Sequence, residues 1–354
     1  MANFNGAAEV LRQGCVIPAH PLALSADRKL DERRQRALSR YYLAAGAGGL
    51  AVGVHTTQFA IHNAEVGLLE PVLSIAAEEM DRFEQQSKRP VVRVAGICGD
   101  TAQAVREAAV ARELGYQVGL LNLGSSGYKS VTDLITHTQK VAECIDVFGF
   151  YLQAAVGGID LPLEYWRGFC EIENVRAIKI AAFDRYKTLS VVRAVAESGR
   201  HDIALYTGND DNILLDLLTP YRFQCNGEST VCRFVGGLLG QWAVWTSTAV
   251  VMHRTCREIS EAGDAVSQAL LQQANELTDA NAVIFDADHN FRGCIPAIHE
   301  VLRRQGLLDG CWCLDEKEVL RRDQSEEIDR VLSAYPHLTD DPFVAEHRDE
   351  WLAG

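Results

Sequence analysis

Residues 175–184, Val-Arg-Ala-Ile-Lys-Ile-Ala-Ala-Phe-Asp, set Lys179 in the middle of a run that reads as a short buried strand. Burial strips water from an ammonium group, so such a site favours the neutral amine, a nucleophile toward carbonyls. Strand alternation puts Ala177, Lys179 and Ala181 on one face and Ile178, Ile180 and Ala182 on the other. Small neighbours leave space beside the amine for a ligand. A strand-end lysine snorkelling to solvent has the same local sequence. The same parity reading of 146–153 sets Gly149, Tyr151 and Gln153 against Phe148, Phe150 and Leu152. In 49–55 it sets Ala51, Gly53 and His55 against Leu50, Val52 and Val54. If the small and polar faces point inward together, Lys179, Tyr151 and His55 meet. An amine beside a phenol and an imidazole is equipped for imine chemistry on a 2-oxo acid.

The elements that must position these groups repeat along the chain. Strands are expected at 15–22, 49–55, 90–98, 116–123, 146–153, 175–184 and 202–207, with a weaker eighth at 224–231. Helical patterns lie between them, for example 31–45, stopped by Gly46, and one capped by Asp100 that ends at Gly115. Eight strands alternating with helices predict an α/β fold, a closed (β/α)8 TIM barrel over residues 1–235. Residues 236–354 read as a C-terminal helical extension, with helices near 237–262, 264–278 and 294–305 and then an acidic tail. Barrel chemistry sits at the C-terminal strand ends. Those ends here are His20, His55-Thr56-Thr57-Gln58, Asn122, Tyr151 to Gln153, Lys179 and Gly208-Asn209-Asp210-Asp211. His62, His137, His201 and His253 fall on helices or loops and read as solvent-facing.

Composition narrows the partners. The 354 residues are 47% hydrophobic, enough for a large core, and the net charge of -14 disfavours nucleic acid and anionic membrane. No signal peptide and no bilayer-spanning apolar run is evident. The ten cysteines are scattered, several in apolar runs, as reduced cytoplasmic thiols usually are. The close pair Cys311-Trp312-Cys313 lacks the companions of a zinc site, and neither a dinucleotide fingerprint nor a phosphate-binding P-loop occurs. No metal and no cofactor is expected.

The interval from Tyr151 to Lys179, the Ile178-Lys179 pair and the run Val54-His55-Thr56-Thr57-Gln58-Phe59 together resemble the dihydrodipicolinate synthase/N-acetylneuraminate lyase superfamily of class I aldolases. The resemblance covers about residues 14–235. It implies Lys179 as the Schiff-base lysine on strand six and Tyr151 as the proton-transferring tyrosine after strand five. It implies Thr56 and nearby backbone amides as the carboxylate site, and a homodimer or homotetramer, for which the apolar run from Phe234 to Val251 offers a surface. In an ungapped alignment His55 stands at the family's relay threonine and Gln58 at its glutamate; a one-residue gap would put Thr56 at the relay instead. Val156 stands where the synthases carry an arginine, and nothing near Asn122-Leu123-Gly124 matches their strand-four tyrosine.

Without that arginine, aspartate semialdehyde is an unfavoured partner for pyruvate. Gln153, Asn209, Asp210, His20, Ser125 and Ser126, with Thr56, Thr57 and Gly208, would suit a hydroxylated 2-oxo or deoxy sugar acid. The expected reaction is retro-aldol cleavage of a 4-hydroxy-2-oxo acid, or the reverse condensation with pyruvate. Dehydration of such an acid through the same imine, a dihydrodipicolinate-type condensation, and a catalytically altered barrel with a binding role are the alternatives. A metal- or phosphate-dependent barrel has only Gly208–Asp211 in its favour.

Overall fold

The structure, a computed structural model, describes residues 2–225 and 227–353. Short runs of Val, Ile, Leu, Ala and Gly form β1 (Val16–Pro18), β2 (Gly49–Val52), β3 (Val92–Ile97), β4 (Val118–Leu121), β5 (Asp146–Leu152), β6 (Val175–Ala181) and β7 (Ala204–Thr207). β8 (Tyr221–Cys225) and β9 (Glu228–Cys232) follow, then β10 (Phe234–Leu239). One parallel sheet runs in the order β1-β10-β7-β6-β5-β4-β3-β2, and a bridge from Ala19 to Ala51 closes it into an eight-stranded barrel. Ile17, Ala51, Val94, Leu120, Phe148 and Leu238 fill the interior. The opposite strand faces pack on the surrounding helices, as a barrel buried on both sides requires.

The expected eighth strand is displaced. Residues 224–225 and 228–231 belong to the antiparallel β8–β9 pair, and the eighth barrel strand is β10, which runs through residue 235. The reason is composition. The hairpin alternates exposed Arg222, Gln224 and Val231 with better covered positions, whereas Phe234 to Leu239 is apolar and Gly-rich and suits burial on both faces. Most of the run Phe234 to Val251 is buried within the chain, Trp242, Trp245 and Ala249 included, which leaves Val251 as its exposed apolar side chain.

The extension contains helices Thr246–Ala262, Gln268–Ile284 and Cys294–Arg304. The acidic tail is ordered as two more, Arg322–Ala334 and Asp341–Ala353. The last packs on the helix Glu32–Ala44: Tyr41 donates to Asp340 at 2.7 Å, and Arg40 donates to the Trp351 carbonyl at 2.7 Å. No helix is long and apolar enough to cross a membrane among the described residues.

Candidate active site

β6 keeps the expected parity. Ala177 and Ala181 are interior, while Ile178 and Ile180 pack toward the helices. Lys179 therefore enters the C-terminal mouth of the barrel, where it borders a cavity of about 50 Å³. Its Nζ lies 4.5 Å from the centre of the Phe150 ring. Burial pushes the amine down to about 8, and the nearby Asp210 charge opposes that shift.

The loop after β7 brings Asp210 to the amine. Gly208 makes this approach sterically feasible: a Cβ there would stand 2.6 Å from Lys179 Cε. The Asp210 carboxylate accepts the Gln241 amide at 3.0 Å. Burial pushes its carboxyl up to about 7, against the Gln241 hydrogen bond and the Lys179 charge. Asn209 points the other way. Its Oδ1 accepts the Phe183 amide at 3.0 Å, and its Nδ2 donates to the buried Asp216 at 2.9 Å. Asp216 also accepts from Thr207, Asn212 and Tyr221 and pairs with Arg185. Asn209 thus braces the loop and does not line the cavity, contrary to the sequence expectation.

At the β2 rim, Gly53 adopts φ +78° and resets the strand alternation, so that Val54 and His55 both border the cavity. Burial, reinforced by the Lys179 charge, lowers His55 to about 4, leaving a neutral imidazole. Thr56 borders the cavity and donates to the Ala19 carbonyl at 2.7 Å. Thr57 does not border it: its hydroxyl donates to the His20 carbonyl at 2.7 Å and accepts the Gly53 amide at 3.0 Å. His20 is also outside. Its ring nitrogens meet the Pro21 carbonyl at 2.8 Å and Ser39 Oγ at 2.9 Å, behind β1. Both residues sit at a strand end, as expected, but turn toward the packing layer.

β5 reverses the expected parity. Phe150 pairs in register with Lys179 and Tyr151 with Ile180, so the phenylalanine faces inward and the tyrosine outward. Tyr151 packs on Trp166 at 5.5 Å between ring centres and accepts the Leu161 amide at 3.4 Å. Large residues fill the interior at this height, so Phe148, Phe150 and Leu152 occupy it. Gln153 and Val156, beyond the strand, do border the cavity. Asn122 and Ser125 line a separate open groove of about 1360 Å³, and Ser126 caps its own turn by donating to the Leu123 carbonyl at 2.7 Å.

Three side chains from the extension, Phe285, Phe291 and Cys294, complete the cavity, with Phe183 opposite. Phe183 and Phe291 meet at 5.6 Å and both hold left-handed backbones, at φ 50° and 63°. Asp286 anchors the covering segment by accepting the Gly293 amide at 2.9 Å and Arg321 Nη1 at 2.6 Å. Sequence reasoning missed these aromatics, since nothing local ties residues 285–294 to a barrel mouth. Among the described residues no three His, Cys, Asp or Glu side chains converge as a metal site.

Of the four histidines expected to face solvent, only His201 is exposed. His137 and His253 are buried, and His62 bridges the Gly53 carbonyl at 2.7 Å and Glu107 at 2.9 Å.

No protein-family model matches the chain. The 4-hydroxy-tetrahydrodipicolinate synthases of two Bifidobacterium longum strains are each 25% identical to it over 207 residues, 58% of this chain and 63% of theirs. The match thus spans less than two thirds of the length of these curated relatives. Among solved structures, dihydrodipicolinate synthase from Oceanobacillus iheyensis superposes with a TM-score of 0.74 at 15% identity, covering 93% of this chain and 99% of that one. N-acetylneuraminate lyase from Fusobacterium nucleatum, complexed with pyruvate, superposes with a TM-score of 0.70 at 16% identity, covering 92% and 98%. The chain thus shares its barrel fold with dihydrodipicolinate synthase and N-acetylneuraminate lyase and is similar in sequence, over part of its length, to two 4-hydroxy-tetrahydrodipicolinate synthases.

Proposed function

We propose that the chain is a Schiff-base lyase that cleaves a 4-hydroxy-2-oxo acid to pyruvate and an aldehyde, and catalyses the reverse condensation. One observation carries this reading: a buried lysine of lowered pKa shares a small cavity at the barrel mouth with a carboxyl group of raised pKa. The neutral amine of Lys179 adds to the C2 carbonyl, and loss of water gives the imine. Asp210, titrating near neutrality, donates the proton that leaves with that water. The cationic imine nitrogen then accepts the electron pair of the C3–C4 bond as it breaks. The C4 hydroxyl proton passes to the Asp210 carboxylate, and the aldehyde departs. Protonation of the enamine at C3 and hydrolysis release pyruvate and restore the amine. Thr56 and neutral His55 border the same cavity and are assigned to the substrate carboxylate.

Asp210 takes the proton-transfer role here because the Tyr151 hydroxyl lies on the helix-facing side of β5. Dehydration would begin from the same imine, with the electron pair leaving on a C–O bond. The test is incubation with pyruvate and borohydride followed by peptide mass analysis. A reduced pyruvate adduct on the peptide bearing Lys179 is expected; an unmodified protein at millimolar pyruvate overturns the proposal.

A further inference from the structure

The polar groups bordering the cavity are Lys179, Asp210, His55, Thr56 and Gln153. The 2-oxo acid half of the substrate engages them: the amine takes C2, Asp210 serves the C4 hydroxyl, and the others face the carboxylate and carbonyl. What remains is apolar. Val156, Phe183, Phe285, Phe291 and Cys294 border the cavity from segments beyond the strand ends, the side toward which we take the chain beyond C4 to extend from a lysine rooted in the barrel wall. Three of the polar residues expected to read a sugar chain are elsewhere. Asn209 is consumed by Phe183 and Asp216, His20 by Pro21 and Ser39, and Ser125 lines the outer groove.

Resting on the reading above, we infer that the aldehyde half of the substrate is apolar, an aryl or branched-alkyl group, and not a polyhydroxylated chain. Hydroxyls carried under the Phe183–Phe291 pair would lose water without gaining a partner. A phenyl or isopropyl group there instead gains from burial and from edge-to-face contact with the two rings, which already meet at 60°. The cavity of about 50 Å³ is too small for such a group as it stands, so the substituent enters by parting Phe183 from Phe291 and replacing their mutual contact. The inferred reaction keeps the balance given above: the C3–C4 electron pair goes to the imine, the C4 hydroxyl proton goes to Asp210, and the product is an apolar aldehyde.

The test uses the full chain with pyruvate and, in turn, benzaldehyde, isobutyraldehyde and glyceraldehyde, scoring condensation products by mass. Borohydride trapping of pyruvate alone is scored in parallel. The expected result is a trapped adduct together with kcat/KM for benzaldehyde or isobutyraldehyde at least about 10-fold above that for glyceraldehyde. Phe291→Ser should narrow that ratio. Trapping accompanied by equal or better use of glyceraldehyde overturns this inference alone, as does trapping with no condensation of either apolar aldehyde. No adduct with pyruvate overturns the Schiff-base reading and this inference with it.

Discussion

Two buried bases, one inside the barrel and one just outside it, are pushed in opposite directions. Lys179 borders a small cavity, and burial takes it down to about 8. His62 borders the open groove beside β2 and β3. Burial alone would lower it, but Cys98 and Glu107 raise it to about 10. The difference lies in partners, not in depth. His62 has an acceptor at each ring nitrogen, the Gly53 carbonyl and Glu107, and Glu107 is held in turn by the Cys98 amide at 2.9 Å and Gln103 at 2.8 Å. Its charge is therefore fixed and structural. Lys179 has a phenyl ring and a carboxyl group that is itself reluctant to ionise. Its charge is labile, which is what nucleophilic catalysis needs.

Breaking the inner region should have the larger consequences. Lys179→Ala removes the proposed nucleophile, and no borohydride-trapped adduct should form at any pH. A persistent adduct in that variant would move the nucleophile elsewhere. Asp210→Asn should lower turnover by about 10²–10⁴-fold, the usual range for a proton-transfer group. It should also shift the pH dependence of trapping. The Asp210 charge raises the Lys179 pKa, so its removal leaves more neutral amine at a given pH, and the rising limb near pH 8 moves to lower pH. A limb that stays in place would show that the two groups do not interact.

The outer region predicts an effect on stability and not on chemistry. The pKa of His62 is raised on folding, so its contribution is fully present below about pH 6.5 and is lost as pH rises toward 10. His62→Gln should cost about 2 kcal/mol at pH 6, read from denaturant midpoints, with the gap to wild type closing toward pH 10. A gap that is constant with pH would mean the imidazole is neutral in the fold. The smallest effect is expected at Tyr151. Its hydroxyl accepts one long hydrogen bond, from the Leu161 amide, on the far side of β5 from the amine. Tyr151→Phe should change turnover by less than about 5-fold and stability by about 1 kcal/mol or less. A loss as large as that of Asp210→Asn would return the proton-transfer role to the tyrosine.

The sequence made the barrel legible, because apolar runs separated by amphipathic segments leave few other ways to bury both faces of each strand, although its eighth strand lies at β10 and not at 224–231. It also determined the lysine. In β6 one face is Ala, Lys, Ala and the other is Ile, Ile, so bulk identifies the helix-packing side and the small face must line the interior. Asp210 and Gly208 were legible as a strand-end loop, though the pairing of Asp210 with the amine was not. In β5 the same argument had no purchase. Phe148, Phe150 and Leu152 compete with Gly149 and Tyr151 for an interior that can be filled by either set, and only the register with β6 chose the phenylalanines. Thr57 and His20 failed for a related reason: a residue at a strand end can turn inward or back toward the packing layer, and hydrogen-bond partners distant in sequence decide which. The cover over the mouth was decided entirely by tertiary structure. Phe285, Phe291 and Cys294 lie more than a hundred residues beyond Lys179, and only the packing of the extension onto the closed barrel brings them to its cavity.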